Sequence, residues 1–186
     1  MKSIGIFPAS GGLGTSTYTH LLSQVPYDKV TLISRFPEKI PRSYIENGVT
    51  ARSASYESSP QELEAAFAGI DVLFLISYPS HQHQLRTKLH LPAIDAAHRA
   101  GVKHIFYSSL GFALSKKKST KAEVMGAHLD TEAYLDAVAK KDASFSWTAI
   151  REGLYSESYP IYTAFFDVKA PTSEILIPHD GSGKVI

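Results

Sequence analysis

The chain has 186 residues, a formal net charge of +1, 44% hydrophobic residues and 20% charged residues. That length suits one domain with a sizeable core, and the near-neutral charge argues against nucleic acid or an anionic membrane as the main partner. The absence of cysteine excludes disulfides, thiolate nucleophiles and zinc-thiolate sites, and the eight histidines show no metal-ligand spacing. We therefore expect a globular protein without a metal site and without a nucleic-acid or membrane partner.

Short apolar runs alternate with helical patterns along the chain. The predicted strands occupy residues 4–7, 30–34, 49–52, 72–76, 104–108 and 147–150, and the predicted helices occupy 15–22, 59–68, 86–100 and 122–140. Gly69 and Gly101 follow two of these helices and are natural C-terminal stops. Because most of the strands are continuously apolar, helices should cover both faces of a parallel sheet. The sequence thus predicts an α/β fold, a Rossmann-like doubly wound parallel sheet with helices on both faces.

The N-terminal residues bear on where the protein is located, and the C-terminal residues contain one more predicted strand. The first residues lead directly into the first strand without a secretory signal pattern, and no apolar run approaches the ~18 residues that a membrane span needs. We therefore expect a cytoplasmic protein. Near the other end, a further strand is predicted at residues 174–177, followed by a sharp turn.

A glycine-containing loop separates the first predicted strand from the first helix. The residues Ser10-Gly11-Gly12-Leu13-Gly14 stand where a Rossmann fold places its phosphate loop. Glycine lets the backbone approach a pyrophosphate, and the helix N-terminus offers N–H groups and a favourable dipole. Pro8 occupies the first glycine position of the fingerprint, so the turn must be made differently, with the Ser10 hydroxyl as a candidate to compensate. The alternative is a strand–helix turn that binds nothing.

Two cations follow the second predicted strand, Arg35 at its end and Lys39 four residues later. A free ribose 2′-hydroxyl is normally held near here by Asp or Glu. A guanidinium instead binds a phosphate bidentately and stacks on adenine, and a lysine adds a second positive charge. The alternative is that Arg35 and Lys39 are two ordinary surface cations beside a turn. Together with the glycine loop, these cations favour NADP(H) over NAD(H).

Several short motifs occur in an order that is typical of one family. They are Gly11-Gly12-Leu13-Gly14, Arg35-Phe36-Pro37-Glu38-Lys39, the segment 63–72, Ala93-Ile94-Asp95-Ala96-Ala97, the segment 100–105 and Thr148-Ala149-Ile150-Arg151. On these residues, over nearly its whole length, the chain resembles the NmrA-like family of atypical short-chain dehydrogenases/reductases, of fungal type.

The resemblance implies a Rossmann domain that binds NADP(H) or NAD(P). Family members are reductases of quinones, dyes or small carbonyl or imine-like compounds, or redox-sensing regulators without turnover. Members usually continue beyond the turn near residue 181. The resemblance therefore implies one NAD(P)-binding domain over residues 1–186, C-terminally short, in which residues 151–186 are the truncated start of the substrate-binding region.

The resemblance also implies where catalytic groups should lie. Ordinary short-chain dehydrogenases carry a Tyr-x-x-x-Lys pair, with the tyrosine as general acid. If Glu132 is aligned with the glutamate that often follows this pair, His128 takes the lysine position and Val124 the tyrosine position. The usual acid is then absent. His128 is predicted either to contact the nicotinamide ribose or protonate a substrate, or to pair structurally with Glu132 one helical turn away.

Further candidates follow the predicted fourth and fifth strands, at the carboxyl edge where open α/β sheets bind ligands. Tyr78 is a candidate proton donor or stacking wall, and Ser109 is a candidate hydrogen-bond donor to a substrate carbonyl. We also expect Ser77, Pro79 and Ser108 to contact the cofactor. The alternative role for Ser108 and Ser109, at the end of the fifth strand, is to cap the following turn without contacting a ligand.

Three tyrosines follow the sixth predicted strand. Of these, Tyr155 and Tyr159 are candidates for the wall of an aromatic substrate pocket, and they equally suit a contact between copies of the chain. We therefore expect a homo-oligomer.

Three functions are compatible with these features. The first is an NADPH-dependent reductase of a small aromatic, quinone-like or carbonyl substrate, because hydride transfer mainly requires positioning of the cofactor. The second is a non-catalytic NADP(H)-sensing protein with a regulatory protein partner. The third is a pseudo-Rossmann protein that acts without cofactor in a biosynthetic pathway.

Overall fold

Six parallel strands form one sheet in the order β3-β2-β1-β4-β5-β6. The computed structural model describes residues 1–111, 120 and 122–153. The strands are β1 (Ile4–Phe7), β2 (Val30–Ser34), β3 (Thr50–Ser53), β4 (Val72–Leu75), β5 (His104–Leu110) and β6 (Ser146–Glu152). The strand order reverses between β1 and β4, which makes the carboxyl ends of these two strands the switch point where such sheets bind ligands.

The helices connect successive strands. They are α1 (Gly11–Leu21), α2 (Arg42–Glu46), α3 (Pro60–Phe67), α4 (His83–Arg99) and α5 (Glu123–Lys141), with 3-10 turns at Tyr27–Lys29 and Pro37–Lys39. Among the described residues, no helix is long and apolar enough to cross a membrane. These elements belong to one compact unit, Met1–Glu152. The strand predicted at residues 174–177 lies outside the described residues.

Local sequence explains how these helices begin and end. Ser59 caps α3 through a capping box, in which its hydroxyl accepts a hydrogen bond from the Glu62 N–H and the Glu62 carboxylate accepts one from the Ser59 N–H. Gly69 and Gly101 follow α3 and α4 with φ of 74° and 91°, a left-handed conformation that glycine adopts without strain. The predicted stops are therefore confirmed.

Adjacent residues of a strand face opposite sides of the sheet, and the two sides carry separate cores. The α3–α5 core lies on the side of α3, α4 and α5 and includes Phe7, Ile33, Leu63, Phe67, Leu75, Ile94, Ile105, Tyr107 and Leu135. The α1 core lies on the other side and includes Ile6, Tyr18, Leu22, Val30, Leu32, Ile40 and Val49. Each large apolar side chain that is fully buried contributes roughly 1.5–3 kcal/mol. The predicted doubly wound α/β sheet with helices on both faces is confirmed.

The structure corrects several predicted boundaries. Helix α1 begins at Gly11 instead of residue 15, because the glycines that we assigned to the loop form its first turn. Strands β5 and β6 are longer than predicted, since their pairing continues to Leu110 opposite Glu152. The short helix α2 was not predicted at all.

Candidate cofactor-binding site

The loop between β1 and α1 brings the start of a helix directly to the end of the central strand. The Ala9 N–H donates to the Ile33 carbonyl oxygen at 2.7 Å, which ties this loop to β2. Gly11 has a φ of 71°. A Cβ on Gly14 would lie 2.6 Å from the Pro8 carbonyl oxygen, so only glycine allows α1 to pack this closely. Close packing of helix and strand is the role of the last glycine in the dinucleotide-binding fingerprint.

Ser10 occupies the N-cap position of α1 in an extended conformation, and its side chain makes no capping hydrogen bond. The compensation for the missing first glycine that we predicted for its hydroxyl therefore does not take the form of a helix cap, and a contact with the cofactor stays a prediction. The first N–H groups of a helix have no partners within the helix, so this helix start is suited to an anion such as a diphosphate.

A cavity of about 310 Å³ lies beside this helix start, between α1 and the end of β2. Its lining residues are Ala9, Ser10, Gly11, Thr15, Tyr18, Ser34, Phe36, Lys39 and Ile40. None of these described residues is a carboxylate. Lys39 is exposed, and its Nζ lies 4.6 Å from the centre of the Phe36 ring. The cavity thus offers hydroxyl groups, an aromatic ring and a cation, which fit the adenosine end of a phosphorylated dinucleotide.

Arg35 does not line this cavity but forms an ion pair with Glu57, at 2.7 Å between Nη2 and Oε2. The other carboxylate oxygen of Glu57 accepts a hydrogen bond of 2.9 Å from the Tyr78 hydroxyl. This hydrogen bond, together with burial, raises the pKa of Tyr78. Tyr78 is therefore held toward the β2 side and is a weaker acid than a free tyrosine. The proton-donor role predicted for it stays a prediction.

His128 is buried, and both of its ring nitrogens have protein partners. Nδ1 lies 2.9 Å from the Tyr107 hydroxyl and Nε2 lies 2.8 Å from Nη2 of Arg86. Burial and then the charge of Arg86 lower the pKa of His128 to about 3, so the ring is neutral at physiological pH. Since arginine only donates, Nε2 is the acceptor and Nδ1 carries the proton. The structure does not show the alternative pairing with Glu132.

A second histidine, His90, extends the same buried network. Its Nε2 accepts a hydrogen bond of 2.9 Å from the Tyr78 N–H, and its Nδ1 lies 2.9 Å from the Thr131 hydroxyl. Burial is the main cause that lowers the pKa of His90 to about 3, followed by the charge of Arg86 and by repulsion from His128 when that ring is also protonated. This network joins α4 and α5 to the segment that follows β4.

Arg86 lies at the centre of the network and is only 4% exposed. Its Nη2 also donates to the Ser77 hydroxyl, and its Nη1 donates to the Val124 carbonyl at 3.5 Å. Its Nε has no hydrogen-bond partner among the described residues. Burial lowers the pKa of Arg86. This cation fixes the orientation of Ser77 at the carboxyl end of β4.

The predicted serines at the end of β5 are buried and bonded to protein groups. Ser108 accepts a hydrogen bond of 2.9 Å from the Ser77 N–H. Ser109 donates at 2.6 Å to Glu132, whose carboxylate also binds Arg151 at 2.7 Å. Ser109 thus helps to join β5, α5 and β6, and its contact with a substrate stays a prediction.

The remaining predicted positions divide into two groups. Pro79 is exposed and Leu13 is half-buried against the α1 core, and the cofactor contact predicted for each stays a prediction. Tyr155 and Tyr159 lie outside the described residues. The structure therefore brings together the glycine loop and Lys39 on one side of the switch point, and Ser77, Tyr78 and His128 on the other.

A parallel sheet of this order, with a glycine loop at its switch point and a cavity beside that loop, defines a dinucleotide-binding Rossmann domain. Residues 9–168 match the family model described as NAD(P)H-binding. The chain belongs to this NAD(P)H-binding family, and the predicted cofactor class is confirmed.

Two relatives are similar over most of this chain. One is an NmrA-like family domain-containing oxidoreductase of Aspergillus flavus, 30% identical over 175 residues, which are 93% of this chain and 53% of the relative. The other is quinone oxidoreductase 2 of Escherichia coli, 34% identical over 156 residues, 84% of this chain and 50% of the relative. The resemblance to NmrA-like proteins is thereby confirmed. This chain spans about half the length of these relatives.

Solved structures agree with the fold. The triphenylmethane reductase of Citrobacter sp. complexed with NADP(H) has a TM-score of 0.73 and 32% identity, covering 84% of this chain and 51% of that one. The Escherichia coli quinone oxidoreductase complexed with NADPH has a TM-score of 0.69 and 31% identity, covering 86% and 53%.

Proposed function

We propose that this chain binds NADP(H) in preference to NAD(H) and forms the cofactor-binding part of an NADPH-dependent reductase. The observation that carries the proposal is the cavity beside the glycine loop, in which Lys39 is present and no described lining residue is a carboxylate. An ammonium group attracts a phosphate, whereas a ribose 2′-hydroxyl is usually bound by Asp or Glu. Two similar structures were solved with NADP(H) or NADPH, which supports the same preference.

In this proposal each part of the site has one task. The start of α1 binds the diphosphate, Lys39 and Arg35 attract the 2′-phosphate, and Ser77 and Tyr78 border the nicotinamide side. When bound, the cofactor supplies a hydride. The protein positions it for this transfer. The proposed substrate is a small aromatic, quinone-like or carbonyl compound, and residues 151–186 begin the region that binds it, with Tyr155 and Tyr159 in its wall.

The charge of Lys39 provides a direct test of the cofactor preference. In Lys39→Glu, we expect NADPH affinity to fall by about 10- to 100-fold, as for the loss of a charge-assisted contact and the gain of a repulsive one. NADH affinity should change by less than about threefold, because NADH has no phosphate at this position. Calorimetric titration of both cofactors measures the two effects.

Lys88→Glu is the control for Lys39→Glu, since it makes the same charge change at an exposed position of α4. It should leave both affinities unchanged. Equal losses of NADPH and NADH binding in Lys39→Glu would contradict a phosphate contact at this residue.

One observation favours a second candidate, a cofactor-binding regulator without turnover. The described polar side chains that we assign to the nicotinamide side all have protein partners; they are Ser77, Tyr78, Ser108, Ser109 and His128. Oxidation of NADPH with a panel of quinones, triphenylmethane dyes and enones separates the candidates. We expect turnover with at least one of these acceptors, since a substrate able to take its proton from water needs no acidic side chain. NADPH binding without any turnover would favour the regulator.

A further inference from the structure

Glu57 connects the two sides of the candidate site. It lies between β3 and α3, and each of its carboxylate oxygens binds a side chain from a different element. Oε2 lies 2.7 Å from Nη2 of Arg35, which follows β2, and Oε1 lies 2.9 Å from the Tyr78 hydroxyl, which follows β4. Glu57 thus supplies a negative charge to the guanidinium for which the sequence predicts a phosphate.

The backbone around Glu57 is held in place by its neighbours. The Tyr56 side chain is buried, and its hydroxyl donates to the Ile76 carbonyl oxygen at 2.7 Å. The Tyr56 ring also lies 4.7 Å from the Phe7 ring, between centroids. On the other side, the Ser55 N–H donates to the Ser58 hydroxyl at 3.1 Å. The carboxylate of Glu57 is therefore positioned beside Arg35 by the fold.

The charge of Glu57 is negative at physiological pH. Partial burial opposes ionisation, but the hydrogen bonds from Tyr78 and neighbouring groups outweigh it and lower the pKa of this carboxyl. The Arg35 and Glu57 side chains are 56% and 45% exposed. Ion pairs this exposed shift an equilibrium by roughly fivefold or less, so a phosphate with two charges can displace the carboxylate.

We infer that Glu57 is a specificity-determining residue that lowers the preference of this site for the 2′-phosphorylated cofactor. In the free protein the Glu57 carboxylate forms an ion pair with Arg35. A bound 2′-phosphate must replace the carboxylate as the partner of this guanidinium, and it is then repelled by the nearby negative charge of Glu57. A cofactor with a free 2′-hydroxyl meets neither cost. Lys39 and Arg35 favour NADP(H), and Glu57 reduces the difference in affinity between NADP(H) and NAD(H). The inference rests on the proposed function, because it concerns the same phosphate site.

The chain offers a matched control. Glu64 and Arg99 form a similar exposed pair at 2.9 Å, with side chains 42% and 46% exposed, between α3 and α4. Neither residue lines the cavity. Glu64→Gln therefore makes the same change in net charge and breaks the same kind of pair at a site that no cofactor is proposed to reach.

The test is the ratio of NADPH to NADH affinity, measured by calorimetry for the whole chain. Glu57→Gln keeps the size of the side chain and one acceptor oxygen but removes its charge. In this variant we expect the ratio to rise by about three- to tenfold at low salt and by less at high salt, as screening weakens exposed charges. Glu64→Gln should leave the ratio unchanged. Tyr78→Phe keeps the carboxylate, so it should not raise the ratio.

The outcomes separate this inference from the proposed function. If the wild type binds NADPH and Glu57→Gln leaves the ratio unchanged, the inference is wrong and the proposed function stands. If neither protein binds either cofactor, both are wrong. If only Glu57→Gln binds NADPH, the carboxylate blocks the site and the inference is supported. An equal rise of the ratio in Glu64→Gln would show a general charge effect and overturn the inference.

Discussion

Replacing Gly14 by alanine is expected to destabilise the free protein by about 1–3 kcal/mol, as for an overpacked core position. The added Cβ would lie 2.6 Å from the Pro8 carbonyl oxygen and 3.2 Å from the Ala9 carbonyl carbon. These are backbone atoms, which cannot rotate away as a side chain does. Helix α1 must therefore move relative to the end of β1, and this movement should also weaken cofactor binding.

Gly12→Ala is the control for this prediction, because a Cβ on Gly12 would meet no atom within 4 Å. Alanine is a better helix former than glycine, so this variant should be as stable as the wild type or slightly more stable. Chemical denaturation of the three proteins measures the difference. Equal stabilities of Gly14→Ala and Gly12→Ala would show that the close contact with Pro8 does not restrict this position.

Stability should fall steeply between pH 6.5 and pH 5, because two buried histidines stay neutral in the folded protein. His90 and His128 each have a pKa of about 3 when folded and about 6.5 when unfolded. Below pH 6.5 the unfolded chain binds protons that the folded chain does not, so acid favours unfolding. From pH 7 to pH 5 the two residues together should cost on the order of 3–4 kcal/mol.

The pH dependence can be assigned with two variants. His128→Gln removes one of the two groups, so about half of the loss between pH 7 and pH 5 should disappear. His20→Gln changes an exposed position of α1 and should leave the loss unchanged. Denaturation midpoints measured across this range give the slopes. A wild-type free energy of unfolding that is flat over this interval would contradict the buried, neutral state of both rings.

The fold was largely predictable from sequence because its signals are local. Continuous apolar runs mark strands that are covered on both faces, and Ser59 and Gly101 mark helix ends by their own conformational preferences. The start of α1 was not predicted because glycine has a low helix propensity. The close approach of α1 to Pro8, and not helix propensity, explains why Gly14 lies inside a helix.

The site was predicted less completely because its contacts join distant segments. The spacing of Arg86 and His90, four residues apart, places both on the helical face that also carries Ile94. Polar residues on a buried face were therefore a usable signal, which the sequence analysis missed. Glu57 gave no such signal, since its bonds to Arg35 and Tyr78 depend on how three separate loops meet.

The alternation of Ile6 and Phe7 between the two cores has a practical consequence for protein engineering. The α1 core supports the helix start and the cavity, whereas the α3–α5 core shares none of its buried residues. Substitutions at sites without shared partners usually have additive effects. A designer can therefore raise thermal tolerance by repacking the α3–α5 core away from Phe7 and Tyr56, which hold Glu57 in place. The Lys39 side of the cofactor site can then be tuned on the opposite layer as a separate task.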